Sequence, residues 1–274
     1  MSFSLMISRF TKIASNLQRV PEAWWCMYNL KNWWGFLFRF LGLVNQYPFD
    51  VMTRKGYTIR LKDFYDVTTV WVIFCKFEYK IPKDCKVIVD LGANIGSFAI
   101  FAAQHEPDVK VICLEPFPST FRQLEENIVN NQLSSRITTL PLAISSRRAI
   151  CAMATGGFGS TTSHLVEAED ATGVETVSAI RFPDLLDIVE EKLGHRRIDL
   201  LKIDIEGGEH DLFQNMTPEY LNSVQEIQME HHRNGSKDAL FDKLNHLGFI
   251  CKTDYIFSEN FGTAHFLKNV LPKC

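Results

Sequence analysis

From residue 86 onward the chain alternates short apolar runs with longer amphipathic stretches. Residues 86–91 form a β-branched apolar run that ends on a carboxylate, breaks at a glycine turn, and is followed by a helical pattern over 97–105. The same alternation repeats. Strands are predicted over 109–114, 137–143, 198–204 and 224–230. Helices are predicted over 119–130, where Phe121, Leu124 and Ile128 share one face, over 182–193, from 208 to 213, and over 237–247. Pro183 and Asp184 open the 182–193 helix, and Gly248 closes the last one. Residues 149–155 and 174–180 read as extra strands around a polar loop at 156–164, and 249–252 with 263–267 supply a final strand pair. Strands and helices in strict alternation give a doubly wound α/β fold, a Rossmann-like, mostly parallel sheet with helices on both faces.

The first 50 residues follow a different pattern. They hold four of the five tryptophans, Trp24, Trp25, Trp33 and Trp34, in helical segments interrupted near Pro21 and Pro48. Their most apolar run, residues 33–44, contains Arg39 and falls short of the roughly 20 residues that span a bilayer. No small-residue cleavage site follows it, so no secretory signal is expected. Five basic residues (Arg9, Lys12, Arg19, Lys31, Arg39) stand against Glu22 and Asp50, a net +3. Two readings stay open: a helical lid packed on the main domain, or a peripheral membrane contact through residues 24–44. Residues 56–81 read as a short strand or hairpin followed by a helix. The expected organisation is a helical extension over 1–50 and one catalytic-type domain over 51–274.

Composition changes this picture little. The 274 residues are 46% hydrophobic and 22% charged, ordinary values for a globular chain that buries a large core. A net charge of −3, with no basic cluster interleaved with aromatics, gives no argument for a nucleic-acid partner. Seven cysteines without regular spacing do not make a disulfide framework, and a reducing, cytoplasmic location is expected. Oligomeric state is left open.

The chemistry concentrates at two strand ends. Asp90-Leu91-Gly92-Ala93-Asn94-Ile95-Gly96 lacks the middle glycine that lets a backbone approach a pyrophosphate closely. Its carboxylate suits a cationic ammonium or sulfonium and would repel phosphate, which favours S-adenosylmethionine over a dinucleotide. Replacing Asp90 with alanine is then expected to weaken cofactor binding and leave the fold intact. Glu115, 19 residues after Gly96, ends the second strand, where an acid accepts from ribose hydroxyls, and Ala143 lies where an adenine edge would be read. The second signal is Leu200-Leu201-Lys202-Ile203-Asp204-Ile205-Glu206-Gly207-Gly208-Glu209, an apolar strand releasing three carboxylates around a glycine pair. So much charge at a buried strand end is costly unless it is solvated, paired or functional.

The segments V-D-L-G-A-N-I-G, L-E-P-F-P and L-L-K-I-D-I-E-G-G-E, with Ile227-Gln228-Met229-Glu230-His231 at the end of the fifth strand, resemble the FkbM-type methyltransferases over roughly residues 85–250. Gly208 departs from that pattern, where alanine is more usual. The resemblance implies a seven-stranded class I methyltransferase fold, S-adenosylmethionine as cofactor, and O-methylation of a sugar or natural-product hydroxyl. Asp90, Gly92, Ala93, Asn94, Gly96, Glu115 and Ala143 are expected at the cofactor. Asp204, Glu206, Glu209, Glu230 and His231 are expected on the catalytic side, with Ser160 and His164 as contacts to a small-molecule or glycan acceptor. No spacing requires a metal. An NAD-linked oxidoreductase and a non-catalytic binding module are the competing readings.

Overall fold

The computed structural model describes residues 22–154, 174–232, 235–257 and 261–269. Two short helices, α1 (Ala23–Asn29) and α2 (Trp33–Phe40), lead into a hairpin of β1 (Phe49–Met52) and β2 (Thr58–Leu61), and then into α3 (Phe64–Phe74). Asp63 caps α3, its carboxylate accepting from the amides of Tyr65 and Asp66. The α/β alternation follows: β3 (Val87–Leu91), α4 (Ser97–His105), β4 (Lys110–Leu114), α5 (Pro118–Asn130) and β5 (Ile137–Leu140). After β6 (Leu142–Ile144), β7 (Ala149–Ala154) and β8 (Val174–Ile180) come α6 (Phe182–Leu193), β9 (Ile198–Ile203), α7 (Glu209–Gln214) and α8 (Pro218–Leu221). The chain continues through β10 (Val224–His232), α9 (Lys237–His246), β11 (Phe249–Ile256) and β12 (Phe261–Lys268).

Seven strands form the main sheet in the order β11-β12-β10-β9-β3-β4-β5. Strands β10, β9, β3, β4 and β5 run parallel, and β12 inserts antiparallel between β10 and β11. The central strands β3 and β9 are buried along their whole length, as strands covered by helices on both faces must be. Alternate residues of β3, β4 and β9 feed two cores. Ile88, Val111, Cys113 and Leu200 join the α3–α5 side, whereas Val89, Leu91, Ile112, Leu114 and Ile203 join the α6–α9 side.

The third predicted strand divides. Pro141 lacks the N–H that would continue the ladder, so the chain leaves the main sheet after Leu140, and β6 joins a separate three-stranded sheet in the order β6-β8-β7.

Helices α1 and α2 are built into the main core. Cys26, Leu30, Phe36 and Phe40 are buried in one cluster with Val67, Val70, Trp71 and Phe74 of α3 and with Phe98 and Phe101 of α4. Phe40 stacks on Trp71 at 3.6 Å between ring centroids. Helix α3 is therefore a partition, with its other side facing the carboxyl ends of the sheet.

Candidate functional site

At the end of β3, Gly92 adopts a left-handed φ of +77°, and its amide and that of Ala93 donate to the Leu114 carbonyl at 3.0 and 2.9 Å. The turn is thereby tied to the end of β4. Asn94, also left-handed at φ +50°, accepts from the Ile95 amide with its own side chain. Glu115 closes the link between the strands. One carboxylate oxygen accepts from Asn94 N–H at 2.9 Å and the other from Phe117 N–H at 3.0 Å. Burial pushes the Glu115 carboxyl up to about 7, although both amides favour its charged form.

A cavity of about 410 Å³ opens over these strand ends. Gly92, Ala93, Asn94, Glu115 and Ala143 line one part, with Leu114, Phe117, Leu142 and Ile144 as apolar walls. Asp204, Glu206 and Glu230 line another part, and Thr68, Thr69, Val72 and Ile73 of α3 and Tyr79 close a side. The Tyr79 hydroxyl donates to Asp204 at 3.4 Å.

Four expected site residues do not line this cavity. Asp90 is fully buried and faces Lys202, its register partner on β9, across a 3.0 Å ion pair. Lys202 also donates to the Gly92 carbonyl at 3.0 Å and lies 3.4 Å from Asp204. Burial alone would depress the Lys202 ammonium, but Asp90 and Asp204 outweigh it and hold it above the usual lysine range. The charge read as aimed at the cofactor is thus neutralised by a lysine within the sheet. Gly96 caps α4 at φ +84°, and a side chain there would press on Leu124. Glu209 is fully buried beneath the site, accepting from Gly207 N–H at 3.1 Å. His231 points to the opposite face, where it meets Asp254 at 3.0 Å and Phe241 edge-on.

Side chains alternate along a strand, so the neighbour that shares a face with Glu230 is His232. Its ring is held by three carboxylates: Glu206 at 3.3 Å and Glu230 at 3.4 Å on Nε2, and Glu209 at 3.2 Å on Nδ1. Burial works against its charge, but the three acids raise its pKa to about 12. A period-two count from Glu230 would have found it. Thr68, Thr69 and Tyr79 carry no motif and could not have been found that way. Ser160 and His164 lie outside the described residues.

The folded chain keeps protons on Glu115 and Glu230, each raised to about 7, that an unfolded carboxyl releases near pH 4.5. Stability from these groups is present below that value and is lost as pH rises through about 7. His232 changes in the same sense toward about 12. Calorimetric melting without cofactor should give a midpoint several degrees higher at pH 5.5 than at pH 8, at about 2–4 °C per kcal/mol. Equal midpoints would mean that the two acids ionise as they do in water.

A family model described as the methyltransferase FkbM domain matches residues 90–257, more than half of the chain. The chain belongs to the FkbM methyltransferase family. Among curated relatives of this FkbM domain, the AMB antimetabolite synthetase AmbE of Pseudomonas aeruginosa is 28% identical over 62% of the chain and 10% of that protein. The methyltransferase sdnD of Sordaria araneosa is 27% identical over 52% of the chain and 65% of its own length. The 31-O-demethyl-FK506 methyltransferase FkbM of Streptomyces tacrolimicus is 41% identical over 51 residues, 19% of this chain and 20% of that one. The chain thus spans a tenth of the first of these relatives and just under two thirds of the second.

S-adenosylmethionine is the cofactor that comes with the family, and the cavity fits it. Each Glu115 oxygen has lone pairs left over after its amide bond, as ribose hydroxyls require. Leu114, Phe117, Leu142 and Ile144 offer apolar surface to a flat base, and the acids beyond Asn94 suit a cationic tail. A pyrophosphate would meet those acids with Lys202 already engaged by Asp90 and Asp204.

Proposed function

We propose that this FkbM domain transfers a methyl group from S-adenosylmethionine to a hydroxyl oxygen of a sugar or natural-product-like small molecule or glycan. The observation that carries the reading is the meeting of Asp204, Glu206 and Glu230 in the same cavity as Glu115 and Asn94. That arrangement supports a cofactor and an acceptor held side by side, where positioning supplies much of the rate. Bound there, S-adenosylmethionine offers an activated methyl on a sulfonium.

A hydroxyl acceptor needs a group to take its proton as the O–C bond forms and the C–S bond breaks. Glu230 suits this role. Burial, with the Asp204 charge adding to it, raises its carboxyl to about 7, so it is poised to accept a proton near neutrality. His232, between Glu206 and Glu230, fixes both carboxylates and offsets their mutual repulsion. Tyr79 orients Asp204.

Calorimetry with S-adenosylhomocysteine tests the cofactor half of this reading, and absence of binding at sub-millimolar concentration would sink it. Glu115→Ala should weaken that binding about 10- to 100-fold, the effect of losing charge-assisted hydrogen bonds. Isotopically labelled S-adenosylmethionine, incubated with the protein and fractionated extracts, should place label on a hydroxyl oxygen. Label found on nitrogen or carbon overturns the acceptor half.

A further inference from the structure

The two helices that open the described chain share a pattern that methyl transfer does not use. Cys26 and Leu30 are fully buried, as are Phe36 and Phe40 of α2, each pair four residues apart. Two residues before each stand Trp24 and Tyr28, 65% and 64% exposed, and Trp34 and Phe38, 58% and 41% exposed. Residues at i and i+4 share a helix face, so α2, and α1 with Leu30 directly after it, each turn one apolar pair into the core and an aromatic pair away from it. Both inner pairs enter the same cluster with α3, which puts the outer pairs on the outer side of a single layer. Trp34 stacks on Trp33 and lies 5.9 Å from Phe38, and Leu43 is exposed just beyond. Clustered exposure of this kind marks a surface that meets something else.

The charges beside it say what. Trp24 and Tyr28 line a groove with Met27, Asn29, Arg54, Lys55 and Gln104. Arg54 donates to the Met27 carbonyl at 3.0 Å and Lys55 to the Gln104 carbonyl at 2.8 Å. These bonds fix both cations and leave their charge unneutralised. Among the described residues, Lys31, Arg39, Arg54 and Lys55 make no ion pair with a carboxylate, whereas Arg60 and Lys62 in β2 and just after it are paired with Asp50 and Glu126. Residues 22–55 carry Lys31, Arg39, Arg54 and Lys55 against Glu22 and Asp50, a net +2 in a chain whose total is −3. No helix among the described residues is long and apolar enough to cross a membrane. Tryptophan and tyrosine rings beside uncompensated cations, on elements too short to span, are the composition of a surface that lies in a lipid interface.

We propose that α1, α2 and the turn carrying Arg54 and Lys55 dock on the anionic face of a lipid bilayer. Trp24, Tyr28, Trp34 and Phe38 enter the headgroup region, and the two cations meet lipid phosphates. The test is co-sedimentation of the full chain with phosphatidylcholine vesicles, with and without phosphatidylserine. Wild-type protein should pellet with the anionic vesicles, and less so in high salt. The pairs Trp24→Ala/Tyr28→Ala and Trp34→Ala/Phe38→Ala should each lower the partition coefficient about tenfold, a loss of about 1.4 kcal/mol. Arg54→Glu/Lys55→Glu should remove the preference for phosphatidylserine. All three should keep wild-type affinity for S-adenosylhomocysteine, which shows that they fold. Failure of the wild type to pellet, or aromatic variants that pellet as well as the wild type, overturns the proposal. Light scattering that shows an oligomer dissociating on Trp34→Ala/Phe38→Ala assigns the surface to a second copy and also overturns it.

Discussion

Gly92→Ala should yield no folded protein. A Cβ built on Gly92 stands 1.8 Å from the backbone oxygen of Asp204 and 2.8 Å from its carbonyl carbon. Neither is the end of a flexible side chain. To admit the methyl, β3 and β9 must separate where Leu91 pairs with Ile203, breaking the Asp204 N–H bond to the Leu91 carbonyl at 2.9 Å and loosening Lys202 from the Gly92 carbonyl. The φ of +77° adds the strain of a left-handed alanine. Together these place the change among the exceptional substitutions, above about 4 kcal/mol. Gly56, at φ +92° with nothing within 4 Å, is the matched control, and Gly56→Ala should cost only about 1–2 kcal/mol. Melting curves and S-adenosylhomocysteine titration of both variants check this. A Gly92→Ala protein with the wild-type midpoint would refute the close approach of the two strands.

Lys202→Met should destabilise by about 3–5 kcal/mol, because it leaves the fully buried Asp90 charge without its partner. The deficit should be smaller at pH 5 than at pH 8, since an unpaired buried carboxyl is tolerated only with its proton on. Asp90→Ala should also destabilise, though by less, because Lys202 keeps Asp204 and the Gly92 carbonyl, whereas the sequence reading expects the fold to stay intact. The double variant Asp90→Leu/Lys202→Met should recover most of the stability, as paired apolar replacements of buried ion pairs do. Its affinity for S-adenosylhomocysteine should remain low, because the Gly92 carbonyl and Asp204 have lost the ammonium that held them. Recovery of stability together with full affinity would make the pair purely a matter of packing.

The sheet was legible because its strands are apolar on both faces and its helices begin and end on ordinary signals such as Pro183 and Gly248. What strand pairing does was not. Asp90 and Lys202 lie 112 residues apart in sequence, and only their register makes them neighbours. Read alone, Asp90 is a free carboxylate at a strand end. Read in the sheet, it is the counter-ion of a lysine. His231 and His232 show the opposite failure, since they follow Glu230 at one and two positions and the pleat makes the farther one share its face. Glu115, by contrast, could be placed from its distance to the turn, because the helix between β3 and β4 fixes that spacing. Pro141 was visible as well, but a single proline in an apolar run does not say that the chain changes sheets.

The partition made by α3 lies ahead of the stretch that matches the family. The stretch that matches the family begins at residue 90, yet Thr68, Thr69, Val72, Ile73 and Tyr79, which wall the cavity, come before it. One wall of the cavity is therefore encoded ahead of the family-matched stretch that carries Glu115, Asp204, Glu206 and Glu230. On the proposed function, substitutions at Thr68, Thr69 and Val72 should reshape the acceptor's side of the cavity and leave the turn, Glu115 and the carboxylates around His232 in place. The same helix carries the aromatic layer on its back, so such remodelling is constrained from behind by Trp71 and Phe74 and free only along the row of Thr68, Thr69 and Val72.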